Sequence, residues 1–180
     1  RNRLVQFTRD NKNISVLVEN GREKIIIFGE NGIEKIIDTD VGPIQHLWVS
    51  NSGKIAFIST MRQELYLVDL EKSELKFIDR TKSEEIEYLD ISPDDNYIAY
   101  VISEEKNKNR LRIRNIKTME FVDLKKNYRW IFSPSFDPLG RYLYFISLHS
   151  SSPIYEIIRY NLSYPLPSKI YLITLNNGIS

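Results

Sequence analysis

Apolar residues in this chain are grouped into short runs, and polar turn residues separate one run from the next. The runs are rich in β-branched and aromatic residues, whereas Asn, Asp, Gly, Ser and Pro occupy the joints, a pattern typical of strands and reverse turns. Two runs, YIAYVI from Tyr97 and YLYFI from Tyr142, are apolar at nearly every residue. Such runs indicate strands that are buried on both faces.

The same turn-and-strand unit occurs four times along the chain. Its copies are RDNKNISVLVE from Arg9, SNSGKIAFIST from Ser50, SPDDNYIAYVIS from Ser92 and DPLGRYLYFIS from Asp137. Aligning Asn13, Gly53, Asn96 and Gly140 gives spacings of 40, 43 and 44 residues. A fixed period of this size predicts a repeat architecture.

Each repeat contains four candidate strands, except that the last repeat lacks the fourth. First strands begin at Leu4, Ile44, Ile86 and Trp130, and second strands follow the turns. Third strands begin at Glu23, Glu64, Arg110 and Lys169, and fourth strands at Ile33, Glu74 and Glu120. Four-stranded antiparallel sheets at this period are typical of β-propeller blades. The predicted fold is all-β, one propeller segment of about four blades with boundaries near residues 1–40, 41–82, 83–127 and 128–180.

The blade count leaves two arrangements open. Four blades could close a small ring with a strand supplied by another segment, or they could form an arc of a larger ring. We favour the arc, because the chain begins directly in a first strand and has no spare strand to complete the last blade. An open arc predicts an apolar blade face exposed at each end, which favours self-association.

Composition excludes several classes of function. The 180-residue chain is 42% hydrophobic and 27% charged, with a net charge of +1, so it has no strong field to attract nucleic acid or an anionic membrane. It contains no cysteine, which excludes disulfides and thiolate sites. No apolar run is long enough to cross a bilayer, and no signal peptide is recognisable at the start. We expect a cytoplasmic location.

The sequence predicts no catalytic residues, no metal site and no cofactor. A hydrolase requires a nucleophile with a base in reach, yet the histidines are His46 and His149, and no Gly-x-Ser-x-Gly motif occurs. His149 lies beside serines in a loop, but sequence neighbours do not provide the geometry of a triad. Acidic residues also lack the spacing of a calcium-binding loop.

Two groups of side chains could be either functional or structural. One is a row of alternating cations on a single strand face: Arg110, Arg112 and Arg114. It could bind peptide carboxylates or an acidic partner, but we favour a solvated or ion-paired outer strand. The other is a set of strand tyrosines: Tyr97, Tyr100, Tyr142 and Tyr144. These could form a peptide-binding surface, but we favour packing between blades.

Loop lengths indicate which face of the propeller carries function. Turns after first and third strands are tight, whereas turns after second and fourth strands are longer, and both long classes lie on the same face. Candidate channel-rim residues precede or begin first strands on that face: Gln45, His46, Glu85, Tyr128 and Arg129. The longest insertion, 148–168, joins the second and third strands of the last blade. We expect it to cover a neighbouring domain or to narrow the channel mouth, with a self-packed surface loop as the alternative.

The units SPDDNYIAY and DPLGRYLYF resemble the Ser-Pro-Asp-Gly repeats of TolB-like proteins, prolyl oligopeptidase relatives and tricorn proteases. FSPSFDPLGRYLYFIS, followed by a long insertion and NLSYPLPSKIYLITL, is similar to the seven-bladed propeller of archaeal tricorn proteases. SNSGK departs from the repeat because it lacks the Pro and the Asp.

The resemblance implies a parent that is a large cytoplasmic serine peptidase, assembled as a hexamer, which trims oligopeptides released by the proteasome. None of that family's catalytic residues has a counterpart in this chain. The segment would then be a non-catalytic scaffold and substrate gate, and its partners would be passing peptides and other domains of the parent. The alternatives are a stand-alone TolB-like interaction propeller and the lid propeller of a prolyl oligopeptidase relative.

Overall fold

Every secondary-structure element in the computed structural model is a β-strand, within the residues that the structure describes: 2–8, 12–105, 108–124, 128–148, 154–156, 161–163 and 168–175. The first sheet contains β1 (Asn2–Phe7), β2 (Asn13–Glu19), β3 (Arg22–Gly29) and β4 (Gly32–Asp38). The second contains β5 (Ile44–Val49), β6 (Ile55–Thr60), β7 (Glu64–Asp69) and β8 (Glu74–Arg80). The third contains β9 (Leu89–Ile91), β10 (Tyr97–Glu105), β11 (Lys108–Asn115) and β12 (Phe121–Asp123).

The last sheet departs from this four-stranded pattern. It contains β13 (Arg129–Phe136), β14 (Tyr142–Leu148) and β17 (Ser168–Thr174), paired in that order. Between β14 and β17 the chain forms a separate hairpin of β15 (Ile154–Glu156) and β16 (Asn161–Ser163). In the first three sheets the strands pair antiparallel in chain order, so each is a meander. The prediction of an all-β arc with an incomplete last blade is confirmed, and we call the four sheets blades one to four.

A recurring turn joins the first and second strands of blades two to four. In each turn a backbone amide donates a hydrogen bond to the carbonyl three residues earlier. The pairs, donor first, are Gly53 and Ser50, Asp95 and Ser92, and Gly140 and Asp137. These three donors have positive φ angles of 70°, 55° and 66°, a region that Gly, Asn and Asp tolerate best. Asp95 is therefore the structural equivalent of the two glycines. The sequence alignment placed Asn96 there, one residue too late.

The first strands of successive blades contact one another: β1 against β5, β5 against β9, and β9 against β13. They lie on the inner side of the arc. Apolar layers separate the blades, and the layer between blades one and two contains Ile14 and Val16 from β2 with Leu47 and Ile58 from the second blade.

Blade three shows why its central strand is apolar at consecutive positions. Ile98, Tyr100 and Ile102 of β10 pack toward blade two, whereas Ala99 and Val101 pack toward blade four. Because successive side chains of a strand point to opposite faces, both sets are buried. The interpretation of YIAYVI as a strand buried on both faces is confirmed.

The two outer faces of the arc expose large apolar side chains. On blade one these are Val5, Phe7, Ile33 and Ile36. On blade four they are Trp130, Tyr144, Ile170 and Leu172. The prediction that the strand tyrosines pack between blades is confirmed for Tyr100, which is fully buried. It is wrong for Tyr97 and Tyr144, which are 41% and 37% exposed.

Candidate functional site

A cavity of about 540 Å³ lies between blades two and three, on the face that carries the turns after second and fourth strands. Three elements enclose it: the turn after β6, the segment between β8 and β9, and the adjoining ends of β10 and β11. Its described lining residues are His46, Met61, Gln63, Ser83, Glu84, Glu85, Glu87, Tyr88, Val101, Ser103 and Asn109. The volume falls within the range of small-ligand sites.

The segment between β8 and β9 supplies the negative charge of the cavity. Glu84, Glu85 and Glu87 are exposed, whereas Ile86 between them is fully buried in the layer between blades two and three. The buried isoleucine anchors the segment and leaves the flanking carboxylates at the surface. Burial, together with the neighbouring Glu87 carboxylate, raises the pKa of Tyr88, so its hydroxyl stays neutral at physiological pH.

Hydrogen bonds fix this segment to both blades. The Thr81 amide donates to the Gln63 carbonyl (2.9 Å), which ties the segment to blade two. The Lys82 amide donates to the Ser103 carbonyl (3.0 Å), and the hydroxyls of Ser83 and Ser103 are 2.7 Å apart, which ties it to blade three. The walls of the cavity are therefore held in place without a ligand.

The structure brings together two of the five predicted rim residues. His46, at the start of β5, and Glu85 both line the cavity. Gln45 lies at a register irregularity of β5, is half-buried and is not among the described lining residues of the cavity. Tyr128 is instead a packing residue, because its ring meets the rings of Phe145 and Tyr171 edge-on, at centroid distances of 5.1 and 4.6 Å.

Arg129 begins β13 and pairs with Leu148, and its side chain lies outside the described part of the structure, as does His149. Most of the insertion 148–168 also lies outside the described residues, so its expected role stays a prediction. The rule that selected residues next to first strands did not select Met61 and Gln63, which lie next to the turn after β6, or Asn109 of β11, although all three line the cavity. Loop lengths in the sequence indicated the face on which they lie but not the residues themselves.

A second cavity, of about 530 Å³, occupies the corresponding place on blade one. Its charged lining residues carry both signs, and some of them are paired: the Glu23 carboxylate accepts hydrogen bonds from the Ile44 amide (2.5 Å) and Arg3 (2.9 Å), and Lys24 pairs with Glu19 and Asp38. By contrast, in the described part of the chain no ion pair involves Glu84, Glu85 or Glu87, and no lysine or arginine lines the first cavity. The first cavity is therefore the better candidate site.

The arginine row of β11 does not form an open anion site. Arg112 donates to both oxygens of Asp123 (2.6 and 2.8 Å) and to Asp79 of blade two (2.8 Å). Arg114 donates to Asp79 (3.2 Å) and to the Tyr100 hydroxyl (3.0 Å), and Arg110 pairs with Glu104 and Asp123. The favoured prediction of ion pairing is confirmed, although two of the three guanidiniums are nearly buried and not on an open outer surface.

The carboxylates of this network have altered pKa values. Burial alone would raise the pKa of Asp79, but hydrogen bonds from Tyr100 and Arg112 outweigh burial and lower it. The pKa of Asp123 is lowered in the same way by Arg112 and Arg110, against the effect of burial. Burial and the Asp79 carboxylate raise the pKa of Tyr100. Asp79 and Asp123 are therefore ionised, structural partners of the arginines.

Within the described ranges, no group of three or more His, Asp or Glu side chains is placed to hold a metal ion. The same ranges contain no helix with the length and apolar character needed to span a membrane.

Comparison with known proteins decides the family. The family model for the tricorn protease second β-propeller domain matches residues 1–180. The chain belongs to that family.

Relatives of this tricorn propeller chain are much longer than the chain itself. A tricorn protease homolog of Saccharolobus solfataricus is 32% identical over 168 residues, which cover 93% of this chain and 16% of that protein. A protein of Sulfurisphaera tokodaii, named as a tricorn-like protease C-terminal subunit, is 31% identical over 166 residues, covering 92% of this chain and 19% of that protein. The tricorn propeller chain thus spans less than a fifth of either relative.

Solved structures agree with the fold of the tricorn propeller chain. The crystal structure of the tricorn protease superposes with a TM-score of 0.85 at 23% identity, over 99% of this chain and 18% of that one. A hydrazine synthase of Kuenenia stuttgartiensis superposes with a TM-score of 0.65 at 14% identity, over 98% of this chain and 51% of that one. At these identities the likenesses describe the fold.

Proposed function

We propose that this chain is a non-catalytic propeller segment of a tricorn-like serine peptidase, in which it serves as a scaffold and as a gate for substrate access. The observation that carries the proposal is the family match along the whole chain, 1–180, to a domain of a protease. The candidate cavity supports a role in access, because it lies near the inner first strands on the loop-rich face.

The proposed mechanism is selection by size and shape. Inner strands β1, β5, β9 and β13 would line a narrow passage that admits unfolded peptides and excludes folded proteins. His46 and Glu85 would lie at its rim, with Gln45 and Arg129 as further candidates. The chemistry would be carried out by residues of the parent outside this chain. On the family resemblance, the parent would be a cytoplasmic hexamer that degrades oligopeptides downstream of the proteasome.

A first experiment tests the peptidase activity of the parent. The full-length protein is assayed with short fluorogenic peptides and with folded proteins, with and without a serine-directed fluorophosphonate. Inhibitor-sensitive cleavage of peptides, with folded proteins left intact, would support the proposal. Absence of cleavage and of labelling in a folded, assembled parent would favour a stand-alone interaction propeller instead.

A second experiment tests the gate directly. In a cysteine-free parent, Glu85→Cys is labelled with a maleimide that carries a bulky polymer. Lys76→Cys, on the exposed outer strand β8, provides the matched control. Labelling at position 85 should slow cleavage of peptides of about twenty residues more than cleavage of dipeptides, and labelling at position 76 should change neither. Equal effects from both positions would contradict the gate.

A further inference from the structure

We propose that the cavity between blades two and three binds a primary ammonium group of a peptide, either the amino terminus or a lysine side chain. The inference relies on the proposed function for the source of the peptide. Its own basis is the composition and geometry of the cavity.

The first argument is the charge at the cavity. Glu84, Glu85 and Glu87 contribute three carboxylates to one short wall, and the described lining residues include no lysine or arginine. The chain as a whole has a net charge of +1, so this negative charge is local and is not a property of the general surface. A cleft lined by charges of one sign attracts ligands of the other.

The second argument is a buried polar atom beside the cavity. Ser59 is fully buried, and its hydroxyl has no hydrogen-bond partner among the described residues. Ser59 pairs with His46 across the β5–β6 ladder, so these two side chains share one face of blade two. His46 and Met61 both line the cavity. An unsatisfied hydroxyl at this place indicates a polar ligand or its bound water, because buried polar groups are normally paired.

The third argument is the apolar part of the lining. Met61, Tyr88 and Val101 provide surface against which the methylene stem of a lysine or the first side chain of a peptide can pack. The hydrogen bonds of Thr81, Lys82 and Ser83 hold the carboxylate wall in place before the ligand arrives, which limits the entropy lost on binding.

The experiment measures peptide binding to the full-length parent, pretreated with a fluorophosphonate so that bound peptide is not cleaved. Three fluorescent octapeptides with amidated C-termini serve as probes in anisotropy titrations. One is acetylated and carries an internal lysine, one has a free amino terminus and norleucine instead of lysine, and one is acetylated with norleucine. The first two distinguish lysine from the amino terminus as the source of the ammonium group, and the third has neither.

The variant protein replaces the three carboxylates by amides, as E84Q/E85Q/E87Q. Its matched control is E30Q/E74Q/E120Q, which makes the same charge change at exposed residues next to turns after third strands, on the opposite face. We expect wild type and control to bind one or both ammonium peptides about tenfold more tightly than the neutral peptide, and the variant to lose this preference. The preference should also weaken between 50 and 300 mM salt.

The outcomes separate the two proposals. Preferential binding that the cavity variant loses and the control keeps supports the ammonium site, even if the parent proves to have no peptidase activity. No preference in wild type, a preference that survives E84Q/E85Q/E87Q, or an equal loss in the control overturns the site, even if the parent cleaves peptides. Ser59→Ala changes no charge and should lower affinity for the preferred peptide two- to threefold, about the effect of one hydrogen bond. An unchanged affinity would exclude the hydroxyl from the site.

Discussion

The Tyr100 hydroxyl donates a 2.7 Å hydrogen bond to Oδ2 of Asp79, across the boundary between blades three and two. The same carboxylate oxygen accepts from Arg112 and Arg114 of β11, and Arg112 continues to Asp123 of β12. One aspartate of blade two therefore organises two arginines of blade three. Hydrogen bonds depend on the direction as well as the distance between donor and acceptor, so this network adds to the apolar packing in fixing the relative placement of blades two and three.

Removal of the Asp79 carboxylate should loosen this boundary. Asp79→Ala leaves two nearly buried guanidiniums and the Tyr100 hydroxyl without their shared acceptor, which should cost about 3 to 5 kcal/mol. The measurement is the free energy of opening of β10 amides in the parent, by native-state hydrogen exchange. Asp38→Ala, which removes an exposed partner of Lys24, should cost no more than about 0.5 kcal/mol. Equal effects would contradict the prediction.

The same boundary should weaken in acid. The pKa values of Asp79 and Asp123 are lowered in the folded state, so their stabilisation is full above the unfolded value of about 4 and is lost as pH falls through the folded values. The difference in stability between wild type and Asp79→Asn should therefore shrink between pH 6 and pH 3. Thermal unfolding followed over this range tests it, and a constant or growing difference would show that Asp79 is not the titrating group.

The Tyr100 hydroxyl should contribute separately. Tyr100→Phe keeps the buried ring but removes a donor to Asp79 and an acceptor for Arg114, so we expect a loss of about 1 to 3 kcal/mol. Tyr144→Phe removes the hydroxyl of an exposed ring and should change stability by less than about 0.5 kcal/mol. Hydrogen exchange of the β10 amides compares the two variants. Equal exchange rates would show that the Tyr100 hydroxyl does not stabilise this boundary.

Asn109 should join blade three to blade four. Its side-chain amide donates to the Ile131 carbonyl (2.9 Å), and its Oδ1 accepts from the Ile131 amide (2.8 Å), as a neighbouring strand would. Asn109→Ala leaves both backbone groups of Ile131 unpaired, at a cost of about 1 to 3 kcal/mol. We expect faster exchange of the Ile131 amide in the variant. Asn109→Asp keeps the acceptor, so its Ile131 amide should stay more protected than in the alanine variant.

The sequence was sufficient for the blade repeat because strand runs and turn residues are local patterns. It misplaced the third turn by one residue, since Asp95 and Asn96 both tolerate a positive φ and only the hydrogen bond to Ser92 distinguishes them. The same one-residue error paired Tyr100 with Tyr144, although the equivalence of Asp95 and Gly140 pairs Tyr100 with Phe145. Because a shift of one residue moves a side chain to the other face of a strand, Tyr100 is buried against blade two, whereas Tyr144 lies on an outer face of the arc.

The candidate site was predictable only in part. Loop lengths predicted the face on which the candidate cavity lies, and position next to a first strand selected His46 and Glu85, which line that cavity. Their place at a channel rim stays a prediction. The same rule selected Tyr128, which packs against two aromatic residues from later strands, Phe145 and Tyr171. The cavity and the Asp79 network both join residues from different blades. Contacts between blades depend on how the blades pack, and the repeat spacing in the sequence does not predict which residues meet.

The exposed apolar faces of blades one and four have a consequence for biosynthesis. A blade takes about 42 residues, and a ribosome adds roughly 5 to 20 residues per second, so each new blade face waits on the order of 2 to 8 seconds for the next blade. During that interval side chains such as Ile170 and Leu172 meet solvent, as they do on the outer face of blade four in this arc. Nascent propeller chains of this kind are therefore natural clients for chaperones that hold apolar surface until the following blade emerges.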